Sequence, residues 1–65
     1  MSTRPIRVLI IDDSVVVRRF LSDLLTGESD MEVAGIAHNG RIGLAKISQT
    51  VPDLVLLCAA RRVLT

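Results

Sequence analysis

Two adjacent carboxylates, Asp12 and Asp13, stand directly after the short apolar run Arg7-Val8-Leu9-Ile10-Ile11. Paired acids at a strand end are hard oxygen ligands. They suit Mg²⁺, which takes one or two carboxylates, keeps several waters and adds phosphate oxygens. The pair also has a plainer use. Asp13 can cap a following helix, where a negative charge complements the helix dipole. The doublet alone leaves both readings open. Its place at the carboxyl end of a buried strand, where open α/β sheets bind ligands, gives the metal reading equal standing. A second apolar run, Leu54-Val55-Leu56-Leu57, ends in the only cysteine, Cys58. The plain reading of Cys58 is a small buried hydrophobe at a strand end. As a reactive thiol it would need a basic neighbour, and only Arg61 and Arg62 are near in sequence. His38 is the only histidine and lies in a turn sequence without metal-binding partners, so a solvated position is expected.

The elements that must position these residues alternate. Arg7–Ile11 is apolar and β-branched without alternation, as in a strand buried on both faces of a parallel sheet. Ser14 is placed to cap a helix. Val17, Phe20, Leu21, Leu24 and Leu25 then recur at helical spacing and predict its buried stripe. Arg18 and Arg19 are assigned to the solvated side, and Gly27 to the position after the last turn. Met31–Ala37 mixes in Glu32 and Gly35 and reads as an edge strand. His38-Asn39-Gly40 is a turn signal. A second helix is expected from about Arg41 to Gln49, with Leu44, Ile47 and Val51 as its buried stripe and Gly43 as a local cost of about 1 kcal/mol. Pro52-Asp53 ends it and opens a third strand, Leu54–Cys58. The pattern is β-α-β-α-β. Right-handed crossovers make it a parallel, doubly wound unit, and if strand 1 lies between strands 2 and 3 the order is 2-1-3. That order brings Asp12, Asp13 and Cys58 to the mouth of one crevice.

Composition sets the outer limits. The chain has 65 residues, 49% hydrophobic, which permits one small domain and excludes a disordered tail. A single cysteine excludes an internal disulfide. Eight basic and seven acidic residues give a net charge of +1, which supplies no electrostatic reason to bind nucleic acid or an anionic membrane. No apolar run approaches a membrane span, and the N-terminus lacks the form of a secretory signal, so a cytoplasmic location is expected. Ile11–Val16 contains no glycine, which argues against a dinucleotide-binding loop. No Gly-x-Ser-x-Gly accompanies the single histidine, which argues against an intact hydrolase.

The segments RVLIIDDSVVVRRFLSDLL, MEVAGIAHNGRIGLAKI and PDLVLL together closely resemble the N-terminal receiver domain of response regulators. Within that group the overall likeness is to the receivers of chemotaxis protein-glutamate methylesterases. The resemblance runs over residues 5–57, within a first part of a receiver placed at 1–65, and 58–65 diverge from it. It implies a partial flavodoxin-like fold and a role in a two-component phosphorelay. It also implies a chemotaxis histidine kinase as partner, with no nucleic acid and no membrane. A receiver accepts a phosphoryl group on an aspartate at the end of its third strand, with Mg²⁺ held by the acids after the first. On that template Asp12 and Asp13 match the metal pair, and Ala60 would offer a backbone carbonyl to the ion.

The departures from the template carry as much weight as the match. The acceptor position is Cys58, so both a ligand and the nucleophile are replaced by a soft thiol that Mg²⁺ disfavours. Phosphoryl acceptance is therefore expected to be lost and Mg²⁺ binding to be weak. The chain is not expected to be an enzyme as it stands. After Leu57 the pattern stops abruptly, which points to a truncation or a frameshift. With the third strand left as an edge, a marginal monomer or self-association through that edge is expected. A reading from another class is a phosphorylation-independent interaction module, a pseudo-receiver that docks through the first helix.

Overall fold

The computed structural model describes residues 4–58. The order is β1 (Ile6–Asp12), α1 (Val15–Thr26), β2 (Met31–Ala37), α2 (Gly40–Thr50) and β3 (Leu54–Cys58). The three strands are parallel in the order β2-β1-β3, a partial flavodoxin-like arrangement with β1 at its centre. The sequence-derived bounds hold for β2 and β3. β1, α1 and α2 agree to within one residue at each end where bounds were set.

β1 is central because its side chains have somewhere apolar to go on both faces. Val8, Leu9 and Ile10 are fully buried and Ile11 nearly so. Leu9 and Ile11 form one cluster with Ala37, against which Ile42 of α2 packs. Val8 and Ile10 point the other way. Ile36, the register partner of Ile10, lines a groove there with Val15, Arg18, Arg19 and Ser22 of α1. Each face of the sheet therefore carries one helix. β1 and β2 fall out of step once: Val8 pairs with Val33 and Leu9 with Gly35, which leaves Ala34 as the extra residue of a bulge.

The helices sit differently from the predicted stripes. In α2, Leu44 and Val51 are each 70% exposed, and Ile47 is also exposed. The side toward the sheet is Ile42, Gly43, Lys46 and Thr50, of which Gly43 is buried. Close approach decides this. A Cβ on Gly43 would lie 2.3 Å from Cδ1 and 3.0 Å from Cγ1 of Ile11. A Cβ on Gly35 of β2 would be tight only against Leu9 Cδ1, at 3.2 Å, and in ordinary contact with Lys46 and Thr50 at 3.6 Å. Gly43 is thus where the helix backbone comes down onto β1, and its low helix propensity is secondary. In α1, Leu21 and Leu25 are half-buried, but Val17, Phe20 and Leu24 are exposed. The helix lies over β1 and β2, so among the described residues no strand covers the flank carrying these three. Gly27 also departs from expectation. It caps α1 with φ −76°, and its N–H reaches the carbonyls of Asp23 and Leu24 without a left-handed turn. The left-handed residue is Val51, the α2 C-cap, at φ 47°. That conformation opposes the preference of a β-branched side chain.

An ion-pair clamp closes the end of the sheet opposite Asp12. Arg4 grips Asp53 with two hydrogen bonds of 2.9 and 3.1 Å. The Arg7 N–H donates to the Asp53 carboxylate at 2.9 Å, while the Asp53 N–H donates to the Arg7 carbonyl at 2.8 Å. The Arg7 guanidinium donates to the carbonyls of Thr50 and Val51, a cation placed at the α2 C-terminus where the dipole favours it. It also pairs with Glu32 at 3.3 Å across the strands. The Arg4 hydrogen bond, then that from the Arg7 backbone, holds the Asp53 carboxyl below the usual carboxylate range.

Two predictions follow from this packing. Gly43→Ala is expected to destabilise the fold by about 1–3 kcal/mol through overpacking, although alanine is the better helix former. Adding Ile11→Val should recover part of that loss in a double-mutant cycle read by urea unfolding. Because Asp53 is depressed in the folded state, its contribution is present above the unfolded value near pH ~4 and is lost as pH falls through the folded value. Urea midpoints measured down from pH ~6 should therefore drop more steeply for the parent chain than for Asp53→Asn.

Candidate functional site

The carboxyl end of β1 delivers Asp12 into a confined position. The strand before it is buried on both faces, and Asp12 itself is 6% exposed. Its Oδ1 accepts the Ser14 N–H at 2.7 Å, a side-chain turn that reverses the chain toward α1. Ser14 is the N-cap, and its Oγ accepts the Val17 N–H at 3.3 Å. The N-cap residue is therefore Ser14, with Asp13 directly before it. Asp13 is exposed in the bend between strand and helix. Arg18, expected on the solvated side, is half-buried. It reaches back past the helix start to donate to the Asp12 carbonyl at 3.0 Å. This contact pins the first turn of α1 to the end of β1, and nothing in the spacing of the arginines announced it. Arg19 matches its expected exposure and lies 3.9 Å from Asp23 one turn on. His38 is exposed in the turn before α2, and Asn39 caps that helix by accepting the Ile42 N–H at 2.9 Å.

β3 brings the third predicted position alongside. In the parallel register Asp12 pairs with Cys58, one strand spacing away. The backbone register thus sets Asp12 and Cys58 at neighbouring strand ends. Ala60 lies outside the described residues, as do Arg61 and Arg62. Among the described residues no group of three His, Cys, Asp or Glu side chains is arranged to hold a metal ion. Two neighbouring carboxylates, one already bound to the Ser14 N–H, suit a largely hydrated hard cation rather than a tight site. The donor set does not fit a closed Mg²⁺ site.

Comparison with known proteins finds relatives of one kind. No family model matches the chain. It is 56% identical over 52 residues to a protein-glutamate methylesterase/protein-glutamine glutaminase of Nocardioides, which covers 80% of this chain. It is 51% identical over 51 residues to the protein of that name from Trichodesmium erythraeum. A Geobacter metallireducens relative is 44% identical over 57 residues, 88% of the chain. The chain is similar to the protein-glutamate methylesterases over that segment. It matches one segment of them, 14–16% of the length of these three relatives. These 65 residues correspond to a small part of the named methylesterases. No helix among the described residues is long and apolar enough to cross a membrane.

The cap offers a direct check on this reading of the loop. Ser14→Ala is expected to lower stability by about 1 kcal/mol. It should also raise hydrogen-exchange rates at the Val17 amide, because the hydroxyl that accepts it is gone. Unchanged exchange there would show that Ser14 does not cap α1.

Proposed function

We propose that the chain is the first part of a receiver from a two-component chemotaxis response regulator of the methylesterase type, in which phosphoryl acceptance has been lost. The observation that carries this reading is the register pair Asp12–Cys58. The residue beside the acidic doublet at the end of the third strand is where a receiver would keep its acceptor carboxylate, and here that residue is a cysteine. Replacing the carboxylate removes an oxygen nucleophile and a hard ligand together. Asp12 and Asp13 then bind Mg²⁺ only weakly, through one or two carboxylate oxygens and several waters. If the loop after β3 follows the receiver path, the Ala60 carbonyl adds a further ligand. The natural partner on this reading is a chemotaxis histidine kinase in the cytoplasm. The kinase docks without completing transfer.

A second reading, a phosphorylation-independent interaction module, draws on the exposed Val16, Phe20 and Leu24 of α1. These are apolar side chains on a helix that borders the acidic site.

Magnesium titration followed by the amide resonances of Asp12 and Asp13 tests the first reading. Cys58→Asp restores a third carboxylate and is expected to tighten Mg²⁺ binding roughly tenfold or more. Equal affinity in both chains would show that position 58 is not part of the site. Capture of the chain by a chemotaxis histidine kinase, unaffected by Mg²⁺ or phosphodonor and abolished by Phe20→Ala, would favour the second reading.

A further inference from the structure

Gly40, the first residue of α2, has no conformational reason to be glycine. No glycine among the described residues has a positive φ, and a Cβ at Gly40 would meet nothing within 4 Å. Alanine there would be the better helix former. What glycine does supply is an unhindered backbone nitrogen directly after Asn39. That nitrogen is also uncommitted, because the first residue of a helix has no intrahelical acceptor for its N–H. The Asn39 carboxamide carbon is the atom that would close a five-membered ring with it.

The helix cap decides when the two can meet. Asn39 Oδ1 accepts the Ile42 N–H at 2.9 Å, and the Asn39 carbonyl accepts the Gly43 N–H at 3.0 Å. These bonds hold the residue extended, at φ −157° and ψ 171°, with its carboxamide committed to Ile42. Ring closure requires the carboxamide to leave Ile42 and turn onto the Gly40 nitrogen. A cap of this kind favours the closed form by a factor of roughly five.

We propose that Asn39-Gly40 is a self-modification site, at which the chain loses the Asn39 amide at a rate set by opening of the α2 cap. The Gly40 nitrogen gives its proton to water and bonds to Asn39 Cγ. The bond from Cγ to the carboxamide nitrogen breaks, and ammonia leaves. Water then opens the cyclic imide. Cleavage at Cγ returns an ordinary aspartate. Cleavage at the main-chain carbonyl carbon leaves isoaspartate, with the backbone running through the former side chain. The sum is one water taken up and one ammonia released, with no change of oxidation state.

The two products act oppositely on α2. Aspartate caps a helix as well as asparagine does. It also adds a negative charge beside a first turn that holds Arg41 and no acid, where the helix dipole favours one. Isoaspartate inserts a methylene into the backbone and leaves its carboxylate on Cα, so the Ile42 N–H loses its acceptor. Either product lowers the net charge from +1 by one.

Peptide mapping by mass, on the 65-residue chain aged in mildly alkaline buffer, reads the reaction. Asn39 is the only asparagine and Gln49 the only glutamine, so one digest assigns the lost amide. Conversion is expected at 39 and not at 49, and roughly fivefold or more slower in native buffer than in guanidinium chloride. Gly40→Ala should slow it severalfold in both solvents, with the fold intact. Asn39→Asp should match or exceed the parent chain in its urea midpoint, and the isoaspartate form, separated by chromatography, should fall below it. The proposal is overturned by an Asn39 amide that survives in the folded chain, by equal rates in native buffer and denaturant, by equal rates with and without Gly40→Ala, or by an isoaspartate form as stable as the parent.

Discussion

The burial of β1 on both faces and along both edges is the constraint on which the rest depends. A strand that reads Val8-Leu9-Ile10-Ile11 gains most from exclusion of water on both sides, at about 25 cal/mol per Å² of apolar surface. It must therefore sit at the centre of a sheet with a helix on each face, and a parallel right-handed crossover is the ordinary way for the chain to achieve this. Once β1 is central, its last residue is delivered to the carboxyl end of the sheet with little freedom. Asp12 is buried by the strand that carries it, and its hydrogen bond to the Ser14 N–H turns the chain into α1. Arg18 locks that turn from the helix side.

The two ends of β1 do different work. At the carboxyl end Asp12 and Cys58 are register partners. At the amino end, Arg4, Arg7, Asp53 and Glu32 form a connected set of ion pairs and backbone hydrogen bonds. This set ties the entry of β3 and the exit of α2 to the entry of β1. Such pairs are only partly shielded from water, and each alone contributes little. Their effect is positional: they hold Asp53, and with it the start of β3, in the register that ends with Cys58 beside Asp12.

Much of this was legible in the residues. The three strands, their parallel order, the Ser14 cap and the convergence of Asp12 with Cys58 follow from uninterrupted apolar runs and from topology. The helix faces were not legible for a physical reason. The stripe rule assumes that every apolar residue at helical spacing has sheet beneath it. Here α2 descends onto β1 at Gly43, so the space for close approach matters more than hydrophobicity, and Leu44 and Val51 turn to solvent. On α1 the flank with Phe20 and Leu24 is exposed, with no described strand covering it. The Arg4–Asp53 grip joins residues 49 positions apart and leaves no periodic trace. The reach of Arg18 to the Asp12 carbonyl depends on where a long side chain folds back, which spacing does not encode.

The account rests on what residue 58 is able to do beside Asp12. Its most direct test is intact-mass spectrometry of the chain after incubation with acetyl phosphate and Mg²⁺, with and without hydroxylamine. The account predicts no hydroxylamine-labile phosphoryl adduct on any carboxylate. Such an adduct on Asp12 or Asp13 would contradict it.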